Sequence, residues 1–75
     1  MILDPRPRVL PDGLTEREAE VLRLIAAGRS NRQVAEALVV SLNTVFRHVT
    51  NILTKTGAAN RTEAAIYAHR HGLME

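Results

Sequence analysis

Cysteine and tryptophan are both absent from the 75 residues, and one Phe and one Tyr are the only aromatic side chains. Without thiols there is neither a disulfide framework nor a thiolate metal site. With so few aromatics the core must be built from Val, Leu, Ile and Ala, small side chains that let short helices approach closely. No apolar run nears the ~20 residues of a membrane-spanning helix, and no N-terminal stretch has the form of a secretion signal. That pattern suits the cytoplasm. A chain of this length makes one domain near the lower limit for folding unaided, with an expected stability of about 3–5 kcal/mol.

A second scarcity is local. The net charge of +2 is too small by itself to indicate a nucleic-acid partner. Between Glu36 and Glu63, however, the 26 residues 37–62 contain no carboxylate, while Arg47, Lys55 and Arg61 lie there together with His48. The acids Glu16, Glu18, Glu20 and Glu36 come earlier in the chain. A carboxylate-free surface is what apposition to phosphates requires, because like charge would oppose binding and counterion release.

Helix start and stop signals are plentiful. Thr15 with Glu18, Ser30 with Gln33, and Asn60 with Glu63 each have the spacing of a capping box, and Ser41 offers a fourth N-cap. Gly28, Gly57 and Gly72 stand where helices close, with Leu73 placed to fold back on Tyr67 or Ala68. Four helices follow. The first buries Val21, Leu22 and Ile25, with Leu24 near its edge. The second carries the narrow stripe Val34, Ala35 and Leu38, and Val39 and Val40 then break the period. The third runs 41–55 and the last 60–71. Residues 1–13 carry three prolines and no helical period, so they read as a flexible linker or tail, with Arg6 and Arg8 free to meet anything acidic. The pattern predicts an all-α, compact four-helix bundle over 14–75, with neither strand nor repeat.

The second and third helices, joined by a three-residue turn, form the layout of a helix-turn-helix. Val40 and Val45 can staple the turn and fix the angle between them. Wound at about 100° per residue, the third helix gathers Val45, Val49, Ile52 and Leu53 on one side, with Leu42 beside them. Asn43, Arg47, Thr50, Asn51 and Thr54 gather on the other. His48 and Lys55 line one flank with Thr44, and Phe46 lies on the opposite flank. Arg can grip guanine, Asn adenine, and Thr a phosphate or a thymine methyl. The same polar face is also what any amphipathic helix turns to water. Of its members, Arg47 is the foremost candidate for DNA contact and Lys55 for a phosphate contact. His48 is expected in a structural hydrogen bond, and Arg32 is balanced between phosphate and solvent.

The motifs LTxRExEVL, GxSNxxVAxxL, SxxTVxxHVxxIxxKxG and NRTEA occur in order between Leu14 and Ala68. Together they resemble the LuxR/FixJ-type (GerE-like) helix-turn-helix domain of bacterial transcriptional regulators. The resemblance implies a DNA-binding domain, usually at the C-terminus of a longer protein, whose third helix enters the major groove. It also implies a homodimer on double-stranded DNA, joined through the fourth helix, with RNA polymerase as a further possible partner. By position, Ser41 and Thr44 would face phosphates, and Phe46, Arg47 and Thr50 would meet base edges or nearby phosphates. Lys55 would lie against the backbone and Asn60 would cap the last helix.

Two residues depart from the family pattern. Phe46 replaces a common lysine; it can pack on a thymine methyl or fold onto the edge of the core, and the core edge is favoured. Thr56 replaces a large apolar residue, which is expected to loosen the end of the third helix. Asn51 completes the candidate DNA-binding set. Ala64, Ala65, Tyr67 and Ala68 are the candidate dimer interface, although the alanines could instead pack on the first helix.

Other classes fit less well. A protein-docking module using the last helix is the alternative, but a docking helix normally presents apolar anchors rather than Asn, Arg and Thr. No nucleophile–base set suggests an enzyme. His69 and His71 splay apart on a helix, so neither a metal nor a cofactor is expected.

Overall fold

Side-chain caps begin every α-helix in the computed structural model, which describes residues 10–74. Helix α1 spans Glu16–Ala26, α2 Asn31–Leu38, α3 Leu42–Thr56 and α4 Arg61–Arg70. The fold is all-α, and no strand occurs among the described residues. Thr15 Oγ1 accepts from the Glu18 N–H at 3.1 Å while Glu18 Oε1 accepts from the Thr15 N–H at 3.0 Å, so two otherwise orphaned donors are satisfied together. Ser30 and Gln33 repeat the arrangement at 3.1 and 2.9 Å. At α4 the exchange is offset: Asn60 Oδ1 accepts from Glu63, but Glu63 reaches past the cap to the Ala59 N–H at 2.8 Å.

The core consists of Leu14, Val21, Leu22, Ile25, Val34, Val45, Ile52, Ala64, Ala68 and Leu73. Helix α1 is its centre and packs chiefly on α4 and α3. Ala64 and Ala68 are buried on α4, 1% and 0% exposed, and α4 packs chiefly on α1. Their methyl groups let the two helices approach closely. Leu73 folds back as expected, its N–H donating to the Ala68 carbonyl at 2.9 Å and its side chain buried.

Residues 1–9 lie outside the described residues, and with them the proposed roles of Arg6 and Arg8. The expected tail nevertheless extends too far at its C-terminal end. Pro11–Gly13 form a 3-10 turn, and Leu10 packs against the core. Tyr67 Oη donates to Asp12 Oδ2 at 2.5 Å, and Lys55 Nζ donates to the Gly13 carbonyl at 3.2 Å. Proline content suggested a linker; tertiary contacts hold this part of it in place.

The end of α3 is not loosened by Thr56. Its hydroxyl donates to the Ile52 carbonyl at 2.8 Å and accepts from the Ala58 N–H at 3.3 Å. The side chain thus ties the last turn of the helix to the chain just beyond it. Gly57, at φ 74°, then reverses the chain.

Candidate nucleic-acid interface

Three residues, Val39–Ser41, separate α2 from α3. The α2 end is closed by the Val40 N–H donating to the Ala35 carbonyl at 3.0 Å, with Val39 in the left-handed region at φ 56°. Glycine usually occupies that place in such a closure. A β-branched residue there is strained, and Val39 is also 89% exposed. Nothing in the sequence signals this, since valine carries no preference for left-handed backbone.

Beyond the turn, Ser41 Oγ accepts from the Thr44 N–H at 3.1 Å and lies 2.9 Å from Thr44 Oγ1. Val45 is fully buried and Val40 packs against the core. These contacts set the direction in which α3 leaves. Along its buried side run Val45 and Ile52, flanked by the half-buried Val49 and Leu53. Asn43, Arg47, Thr50, Asn51 and Thr54 are exposed on the other side. Among the described residues, no hydrogen bond or ion pair engages any of their side chains. Helix α3 contains no acid.

Several expected roles change. Phe46 does not fold onto the core edge: it is 48% exposed and absent from the residues packed against the core. Its place on α3, on the flank away from His48, faces solvent rather than a neighbouring helix. Leu42 is 43% exposed, so the buried stripe does not include it. His48 Nδ1 is buried without a hydrogen-bond partner among the described residues. The expected structural hydrogen bond is not made at that nitrogen.

Ala64 and Ala68 cannot serve as a dimer interface, since each is buried within the monomer. Ala65 and Tyr67 remain half-buried. Tyr67 is drawn toward its own chain, bonded to Asp12 and stacked on His71 at 4.1 Å between ring centres. Burial, together with the Asp12 hydrogen bond and charge, pushes its phenol up to about 12.

Lys55 has partners within the domain. Its Nζ lies 2.7 Å from Glu18 Oε1, and Glu18 is buried in the first turn of α1. Burial works to raise the Glu18 carboxyl, but the Lys55 hydrogen bond and charge, with the Thr15 N–H, outweigh it and hold the group below its ordinary value. Arg61 is likewise engaged, donating to Asn31 Oδ1 and, at 2.8 Å, to the Arg29 carbonyl. Two of the three cations in the carboxylate-free stretch therefore tie helices together. Arg47 alone of the three projects without a partner among the described residues. Sequence spacing could not separate these roles, because both partner sets lie 30 or more residues away.

Residues 12–68 match the family model described as bacterial regulatory proteins, luxR family. The chain belongs to the LuxR family. This LuxR-family domain is 48% identical over 63 residues to the transcriptional regulatory protein LiaR of Bacillus subtilis, covering 84% of this chain and 30% of LiaR. It is 50% identical over 62 residues to the response regulator protein VraR of Staphylococcus aureus, covering 83% of this chain and 30% of VraR. A VraR of Staphylococcus epidermidis matches to the same extent. The LuxR-family domain thus spans about 30% of the length of the curated relatives it matches. It is a DNA-binding domain of transcription regulators, a class distinct from enzymes. Among its described residues, no helix is long and apolar enough to cross a membrane.

Proposed function

We propose that the domain regulates transcription in the cytoplasm by inserting α3 into the major groove of a specific DNA sequence, as the C-terminal effector part of a larger response regulator. One observation carries the assignment of the reading face: Asn43, Arg47, Thr50 and Asn51 stand exposed and unengaged on a helix without acids. Arg47 reads a base edge or grips a phosphate, and the two asparagines and Thr50 contribute around it. Ser41 and Thr44 meet the phosphate backbone at the helix start. Lys55 contributes positive potential at the far end while remaining paired with Glu18, so it acts as a weaker phosphate contact.

Two copies meet on DNA through the outer side of α4. In place of the buried alanines, this surface offers half-buried Ala65, Ile66 at 48% exposure, and an adjoining groove of about 330 Å³ lined by Thr56, Ala58, Glu63, Tyr67 and Arg70. RNA polymerase is a further partner of the assembled regulator.

An amide-resolved NMR titration with a mixed-sequence duplex at two salt concentrations tests the reading. Shifts centred on 43–55 that shrink as salt rises are expected. Shifts confined to α4, with none on α3 even at low salt, would favour docking of a protein partner instead.

A further inference from the structure

The fold leaves its only phenylalanine half in water. Phe46 is 48% exposed and Leu42, one helical turn before it, is 43% exposed. Neither belongs to the residues packed on the core, so burial within the monomer does not account for an apolar pair at this place. At about 100° per residue, Phe46 projects some 40° from Thr50, with Leu42 a further ~40° around the helix. Phe46 therefore adjoins the reading face beside Thr50, while Leu42 lies further round, between the directions of Val49 and Leu53, and backs the ring from the core side. No acid occurs on the helix to repel phosphates beside it. A duplex that brings Asn43, Arg47 and Thr50 to the base edges brings the neighbouring Phe46 ring to the edge of the same groove.

The major groove presents one apolar group, the C5-methyl of thymine. We infer that Phe46, supported by Leu42, selects thymine in the half-site by covering that methyl. Apolar contact is the only discrimination these side chains can supply, since neither has a donor or an acceptor for a base edge. A flat ring can cover a methyl while Arg47 engages a neighbouring base pair, so thymine would be preferred beside the position that Arg47 reads. The inference rests on the DNA-binding reading above and adds a base preference to it.

The test compares one duplex in two chemical forms. A site is first selected from a randomised duplex pool on the wild-type domain, then synthesised once with thymine and once with deoxyuridine, which lacks only the methyl. Wild type is expected to bind the thymine form about fourfold more tightly per covered methyl, the worth of one buried carbon. Phe46→Ser is expected to bind both forms equally, and Leu42→Ala to show a reduced ratio. Both positions are exposed, and circular dichroism verifies that the variants fold. Equal wild-type affinity for the two forms overturns the inference and leaves DNA binding intact. A ratio that survives Phe46→Ser overturns it too, because the methyl is then sensed elsewhere. Failure to bind either form overturns the DNA reading along with it.

Discussion

The two sides of α3 belong to different kinds of surface. Inward, Val45 and Ile52 are sealed in the core, and the polar groups near the helix end are matched: Thr56 with Ile52, Lys55 with Glu18 and Gly13. Outward, Asn43, Arg47, Thr50 and Asn51 have no partners among the described residues, and Phe46 is half exposed. The difference separates scaffold from proposed reading face by completeness. A side chain already matched within the domain has less to offer a ligand, whatever its charge. Lys55 and Arg61 illustrate this, since charge alone would group them with Arg47.

The largest effect expected from the inner side comes from Ile52→Ala, which opens a cavity beneath α3. It should cost about 2–5 kcal/mol, most of the stability of so small a domain, and a chemical denaturation curve would measure it. Ala68→Leu forces α1 and α4 apart and should cost about 1–3 kcal/mol by overpacking. If thermal unfolding of that variant were unchanged, the alanine would not be at a close helix contact. Arg47→Ala sharpens the contrast from the outer side. Affinity for duplex should fall by about 1–3 kcal/mol, while the melting temperature stays put, and fluorescence anisotropy beside a thermal melt reads both.

Acid should act on the inner side through Glu18. Its carboxyl is held below the ordinary 4.5, so its stabilising contribution is complete above that value and is lost as pH falls through the lowered one. Lys55 is partly exposed, which screens the pair, so the loss should be about 1 kcal/mol. Melting temperatures between neutral and acid pH would follow it, and Glu18→Gln should flatten that limb. The smallest effect expected is a gain. Val39→Gly relieves about 1–2 kcal/mol of left-handed strain and gives part of it back as chain entropy, leaving roughly 0.5–1 kcal/mol of added stability. A higher denaturation midpoint would record it.

Local chemistry was legible in the sequence and long-range chemistry was not. Thr15, Ser30, Ser41 and Asn60 announced their helices because a cap acts over three residues. The split of α3 into buried and exposed sides followed from its 3.6-residue period. Phe46 was misjudged because periodicity puts it on a flank and cannot say whether another helix covers that flank. Ala64 and Ala68 were ambiguous for a related reason: a small side chain favours close approach, and the sequence does not name the helix that approaches. The pairing of Lys55 with Glu18 spans 37 positions, a separation at which no local rule operates.

The placement of Lys55 has a mechanical consequence. Its ammonium fastens the last turn of α3 to Glu18 and Gly13, whereas the opposite end is steered by a turn containing a left-handed valine. From Lys55 back to Asn43 the helix measures about 18 Å at 1.5 Å per residue. A lever of that length, anchored at the tail and pivoting by only ~5°, swings its tip through roughly 1.6 Å, over half the length of a hydrogen bond. The residues at the tip therefore take their aim from two places, the turn beside them and a fastening about 18 Å away, next to the 3-10 turn that precedes α1.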